Sequence, residues 1–308
     1  MIESQKIKNE FDNKGYVIVP NIVNQEKIQI LRKKILDFFN KNPTQRMIMP
    51  SDIINNFSEV FELQVNSKLL RVCKEIFNEF NYINDFQIQK NMCNIDDIGW
   101  HYDGGTSFGV KTRSVDDISK EINGEYRIAK IGISLTENDC RFGQMIDIVE
   151  GSHNWNNLKR ALINKLLVNK WTPRLFKKYL IVNMTGKINP GDCVIFDSGL
   201  LHRSQMVKID DVPEHRNNAS HVITSDSKLT IYFEVGNKDS CEWFVKNNLA
   251  YANKKEIGTM EEKYHSDYLR FDKSLYPEWY LNELKIFNVD ITELQGHKRS
   301  IASDIYLS

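Results

Sequence analysis

The sequence predicts a mainly β protein, an antiparallel sandwich or barrel with flanking helices, and three observations carry that reading. From residue 85 onward, short β-rich runs recur between turn signals: "DFQIQKNMC", "RIAKIGISLT", "MIDIVEG", "GDCVIFDSG" and "KLTIYFEVG". These runs do not alternate with helices in the manner of parallel βαβ units. On both sides of this stretch the apolar spacing shifts toward three- and four-residue steps or toward polar, aromatic segments of helical character.

Taken in order, Tyr16 to Val19 reads as a strand stopped by Pro20, which lacks the N–H that a ladder requires. Asn24 is the expected N-cap of a helix whose buried stripe is Ile28, Leu31, Ile35 and Phe38. A second helix is expected after Asn66 or Ser67, with Leu69, Val72, Ile76 and Phe77 on its apolar face. Two polar interruptions, about 111 to 126 and about 154 to 186, join the β-rich runs in the manner of lids or substrate loops, and the second contains a short helix in "NLKRALINKLLVNKW". Beyond Gly236, "YLRFDKSLYPEWYLNELKIF" reads as a packed terminal decoration. The expectation is one domain over 1–308: a helical part to about 84, a core from about 85 to 236, and a helical decoration over 237–308.

Lys+Arg and Asp+Glu both number 41, so the formal net charge is +0 and no whole-protein field favours nucleic acid or an anionic membrane. A small-molecule partner is expected instead, and the sequence sets no oligomeric state. The five cysteines include no Cys-x-x-Cys pair, which argues against a disulfide framework or zinc ribbon and for a reducing cytoplasm. The amino terminus lacks the apolar region of a signal peptide, and no run approaches the roughly 18 apolar residues of a membrane span.

Two stretches carry chemistry. In "GWHYDGGTSFG", His101 and Asp103 are two residues apart, and in an extended chain they face the same side, a geometry that holds a metal ion. In "INPGDCVIFDSGLLHRSQ", a Pro-Gly turn leads into a buried strand, and His202 follows at the next turn or strand end. Strands distant in sequence line one mouth in barrel folds, so the three residues can meet. Two imidazoles and one carboxylate make the triad that binds non-haem Fe(II) with positions left open. The same donors also bind catalytic zinc, although no His-Glu-x-x-His helix supports that choice.

Four blocks in order, "FDNKGYVIVPNIVNQEKIQILR", "GWHYDGG", "KIGISLTENDCRFGQMIDIVEGSHNW" and "PGDCVIFDSGLLHRS", spread over residues 11 to 236, resemble the phytanoyl-CoA dioxygenase family of Fe(II)/2-oxoglutarate-dependent oxygenases. The resemblance implies a double-stranded β-helix core, a cupin-like jelly roll. It implies His101, Asp103 and His202 as iron ligands, 2-oxoglutarate and O2 as cosubstrates, and hydroxylation of a small-molecule metabolite with release of succinate and CO2. Ser204 matches the hydroxyl residue two positions after the distal histidine that touches the cosubstrate carboxylate.

The family's basic anchor at the start of the last core strand is usually arginine. Here Lys228 takes that position, with Arg216 upstream as the competing candidate, and lysine lacks the planar two-point contact of a guanidinium. Gln87 and Gln89 share one strand face, which makes Gln89 a further candidate cosubstrate contact. In "VEGSHNW", Glu150 stands where proline is common, and His153 is expected to support the turn. Arg127 and Lys130 lie an odd number of positions apart, so at most one points inward. Retention of the Asp103 carboxylate favours hydroxylation over halogenation, while desaturation, epoxidation and ring formation use the same ligand set and stay open. The alternatives are a non-catalytic jelly-roll protein that binds a metal or ligand, and a zinc hydrolase using the same three donors.

Overall fold

Two sheets of unequal size carry the described part of the chain. The computed structural model describes residues 2–43, 45, 47–48, 50–91, 100–101, 127–135, 146–168, 179–183, 188–204, 228–252 and 275–292. The larger sheet has the order β1 (Tyr16–Val19), β7 (Cys193–Asp197), β4 (Ile128–Ser134), β9 (Lys228–Gly236), β3 (Asn81–Asn91) and β10 (Asp290–Thr292), with β2 (Met47–Ile48) also on β3. The smaller sheet has the order β6 (Val182–Asn183), β5 (Ile146–Ile148), β8 (His202–Ser204). Flanking these are helices α1 (Ile2–Lys14), α2 (Gln25–Lys41), α3 (Pro50–Asn56), α4 (Glu59–Gln64), α5 (Ser67–Phe77), α6 (Asn157–Val168), α7 (Lys238–Ala252) and α8 (Glu278–Ile286).

Pairing is antiparallel between β1 and β7, β2 and β3, β5 and β6, and β5 and β8. By contrast, β10 runs parallel to β3, with Ile291 opposite Tyr82. It is a short strand that the sequence reading did not foresee. It reaches the sheet directly from α8, and a helical connection is the kind that allows parallel entry.

The chain divides into two compact units, one of Met1–Ile48, Ile88–Asp103 and Ile131–Tyr232, the other of Met49–Gln87, Gly104–Lys130 and Phe233–Ser308. In the first unit, α1 has no apolar stripe to announce it. Its surface carries two i,i+4 pairs at 2.7 Å, Lys8 with Asp12 and Lys14 with Glu10, and Phe11 alone among its described residues is a fully buried hydrophobe. Gly15 then turns the chain into β1 with a left-handed φ of 83°, and a Cβ there would strike the side chains of His153 and Leu200.

Asn24 caps α2 as expected, its side chain accepting from the Lys27 N–H at 2.8 Å. The buried stripe is Ile28, Leu31, Ile35 and Phe39, whereas the sequence reading placed Phe38 there. The 28, 31, 35, 39 spacing keeps to one helical face, and the Phe39 ring carries the Lys90 ammonium at 4.7 Å. The same helix buries Arg32, which donates to the Leu135 carbonyl just past the end of β4 at 2.9 Å.

The turn before β7 docks on the loop before α2. Gly191 has φ 86° and accepts from the Ile22 and Val23 N–H groups, while Asp192 accepts from the Asn21 N–H. A Cβ at Gly191 would collide with the Val23 carbonyl, so this close backbone approach requires glycine. Across the first unit, Tyr16, Ile146, Ile148, Ile188, Val194, Phe196, Leu200 and Tyr232 form a buried cluster.

In the second unit, Asn66 caps α5 by accepting from the Lys68 and Leu69 N–H groups. Leu69, Leu70, Val72, Cys73 and Ile76 are buried, and Phe77 is only half-buried. Phe61 packs against Phe86, Tyr276 and Tyr280, and Gln64 accepts from both the Tyr82 and Tyr280 hydroxyls at 2.8 Å. Ile83, Ile128, Cys241, Trp243, Phe244 and Val245 make a further buried cluster.

Candidate metal centre

The distal histidine is located by the turn that precedes it. Asp197 closes β7 and accepts from the Gly199 N–H through Oδ1 and from the Leu200 N–H through its carbonyl, both at 2.8 Å. Leu201 then donates its N–H to the buried Ser152 Oγ at 2.7 Å, and its carbonyl accepts from the Val149 N–H at 2.8 Å. These bonds deliver β8 to β5 in one register: His202 opposite Ile148, Arg203 opposite Asp147, Ser204 opposite Ile146.

His101 meets His202 in an isolated antiparallel bridge. The His101 N–H donates to the His202 carbonyl at 2.9 Å, and the His202 N–H donates back at 2.8 Å. Their ring centroids are 4.3 Å apart with the planes inclined at 50°. His202 is 4% exposed, and its ring stands edge-on to Phe196 at 5.0 Å. Its Nδ1 lies 2.9 Å from the Leu200 carbonyl oxygen. A carbonyl only accepts, so this contact is a hydrogen bond when Nδ1 carries the proton, and in that tautomer the neutral ring keeps its lone pair on Nε2. This is the tautomer of a metal-binding imidazole whose second nitrogen is fixed by a backbone carbonyl. Two histidines side by side, one with Nδ1 against a backbone carbonyl, fit a divalent metal by donor chemistry.

Asp103 and Arg216 lie outside the described residues, as does the expected loop at 111–126. Among the described residues, no group of three His, Cys, Asp or Glu side chains converges. Ser204 is the last residue of β8 and Lys228 the first of β9, the strand position at which the sequence reading put a basic anchor. Of the two glutamines on β3, Gln87 is buried and Gln89 half-buried, and Gln89 lies opposite Met47 of β2. Lys130 pairs with Glu234 at 3.6 Å, with the Glu234 side chain 3% exposed, while the Arg127 backbone N–H donates to Ser240 Oγ.

The turn "EGSH" serves packing. The Gly151 N–H donates to the Lys14 carbonyl, and His153 Nε2 and Asn154 Nδ2 both reach the Asp12 carbonyl, at 3.1 and 2.9 Å. Glu150 accepts from the Tyr16 hydroxyl at 3.5 Å. Burial first, and the Glu150 charge second, push that phenol above its ordinary range. The sequence reading did not pick out the ion pair behind the histidines: Arg203 Nε and Nη2 donate to Asp147 Oδ2 at 3.1 and 2.9 Å. Only the β5–β8 register brings those two residues together.

No family model and no curated protein matches the chain. Among solved structures the chain is similar to EctD from S. alaskensis with bound Fe, at 13% identity over 76% of this chain and 77% of that one, with a TM-score of 0.51. It is similar to the same enzyme with 2-oxoglutarate and 5-hydroxyectoine, at 16% identity over 76% of each chain and a TM-score of 0.50. It is also similar to SnoK, a non-heme alpha ketoglutarate dependent carbocyclase from nogalamycin biosynthesis, at 11% identity over 75% of this chain and 83% of that one, with a TM-score of 0.50. These likenesses show the fold, a cupin-like jelly roll with flanking helices.

Proposed function

We propose that the chain is an Fe(II)- and 2-oxoglutarate-dependent oxygenase of the phytanoyl-CoA dioxygenase type that hydroxylates a small-molecule metabolite. The observation that carries this reading is the His101–His202 bridge, which sets two imidazoles from distant parts of the sequence beside each other. The jelly-roll fold shared with EctD and SnoK supports it. In this reading His101, Asp103 and His202 hold the iron, which with 2-oxoglutarate and O2 supplies the oxidising chemistry, releasing succinate and CO2.

The chain's own residues bind, orient and exclude water. The Leu200 carbonyl keeps the Nδ1 proton of His202 in place, so Nε2 offers its lone pair to the metal. Asp103 supplies the charge of the triad, and its retention favours hydroxylation over halogenation. Lys228 is the candidate partner of the distal carboxylate of 2-oxoglutarate, with Arg216 as its competitor and Ser204 and Gln89 as hydrogen-bonding neighbours. Phe196, in edge contact with His202, belongs to the buried cluster that keeps that side of the ring dry.

Anaerobic titration tests the reading. Fe(II) followed by 2-oxoglutarate is expected to give a visible charge-transfer band that His202→Ala abolishes. A protein that binds Fe(II) but develops no band with 2-oxoglutarate overturns the oxygenase assignment in favour of a non-catalytic binding protein or a hydrolase.

A further inference from the structure

Among the described residues, the bridge that joins the two histidines consists of a single pair of backbone hydrogen bonds. Metal ligands need placement within roughly 0.5 Å, and a lone bridge is a weak means to that end. Side chains alternate along an extended chain, so the residue before His101 and the residue after His202 share the opposite face. Those residues are Trp100, which is buried, and Arg203. The guanidinium carbon of Arg203 lies 4.9 Å from the Trp100 ring centroid. Arg203 is also clamped by two hydrogen bonds to Asp147 Oδ2. Asp147 is 3% exposed, and among the described residues its Oδ1 has no partner, so Arg203 is the only described group that neutralises it. The stack Trp100, Arg203, Asp147 therefore ties the segment of His101, strand β8 and strand β5 together on the face away from the imidazoles.

We propose that Arg203 is a positioning residue for the metal centre: stacked on Trp100 and clamped by Asp147, its guanidinium holds His101 in register with His202. This rests on the reading of the two histidines as metal ligands. The guanidinium acts through its plane as well as its charge, since it stacks on an indole and presents two N–H groups to one carboxylate oxygen. Lysine does neither.

The test uses the full-length metal-free protein titrated with Co(II), whose ligand-field absorption reports both affinity and geometry. Measurements are made well below the thermal transition of each variant. Arg203→Met is expected to raise the Co(II) dissociation constant by about 10- to 100-fold and to alter the ligand-field band, the range for losing a group that orients metal ligands. Because that change strands a buried carboxylate, Asp147→Asn/Arg203→Met is measured beside it, and Arg203→Lys provides a variant that keeps the charge. All three are expected to weaken Co(II) binding, the lysine variant by about tenfold. A merely structural role lowers thermal stability and leaves Co(II) affinity and the band at their wild-type values, and that result in any folded variant overturns the proposal. Failure of wild-type protein to bind Co(II) at all sinks the metal-centre reading and the proposal with it, whereas wild-type binding unchanged in the variants sinks the proposal alone.

Discussion

At His202 the contact that bears on which ring nitrogen is left to offer a lone pair is the 2.9 Å approach of Nδ1 to the Leu200 carbonyl, an acceptor fixed by the turn two residues upstream. Replacing His101, Asp103 or His202 by alanine is expected to remove most Fe(II) binding, measured by anaerobic equilibrium dialysis, because in the proposed triad each donor is one of three and chelation is lost with any of them. Lys228→Met is expected to weaken 2-oxoglutarate binding by about 1.5 to 3 kcal/mol, or roughly ten- to more than a hundredfold, with Fe(II) binding unchanged. Calorimetric titration checks this, and a loss with Arg216→Met but none with Lys228→Met transfers the role to Arg216. The two histidines were legible because each sits in a local block, a His-x-Asp beside glycines and a turn-strand-His run. The Arg203–Asp147 pair was not legible: it exists only through cross-strand register, which no local pattern encodes.

Elements were legible where a stripe or a cap announced them. The Asn24 cap, the helix start after Asn66 and strand Tyr16–Val19 followed from local chemistry, and all are present. Helix α1 escaped because its exposed ion pairs leave no periodic apolar signal. In α2 the period pointed to Phe38, but the helical face continues to Phe39, since steps of three and four residues fit the same stripe. This gives a sharp contrast: Phe39→Ala is expected to cost about 3 to 5 kcal/mol, as for a fully buried phenylalanine, and Phe38→Ala less than half of that. Gly191→Ala is expected to destabilise by at least about 1 to 3 kcal/mol, since strain at a left-handed φ adds to a collision with the Val23 carbonyl. Urea midpoints at constant m-value check all three.

For the molecule as a whole, the two-sheet layout followed from the order of β-rich runs, while the parallel entry of β10 did not, being set by the packing of α8 rather than by its own three residues. Burial also gives the molecule an alkaline weakness. It pushes the Cys73 and Cys241 thiols well above the ordinary thiol range. A folded state that keeps a thiol protonated has that stability in full below the unfolded thiol pKa and loses it as pH rises from there toward the folded value. Above about pH 9, each thiol is expected to lower stability by about 1.4 kcal/mol per pH unit, and Cys73→Ala to remove one such contribution. Urea unfolding of both proteins at a series of pH values from 7.5 to 10.5 checks the slope. The pairing of β1 with β7 has a consequence for how the protein is made. A growing chain displays Tyr16–Val19 long before its partner Cys193–Asp197 exists, and displays His101 long before His202. Synthesis proceeds from the amino terminus, so this unit waits on the ribosome as an unpaired edge until nearly two thirds of the chain has emerged. The partner strand and the second imidazole then arrive only a few residues apart, so the β1–β7 pairing and the His101–His202 bridge become possible at nearly the same moment, before β9 and β10 exist to complete the larger sheet.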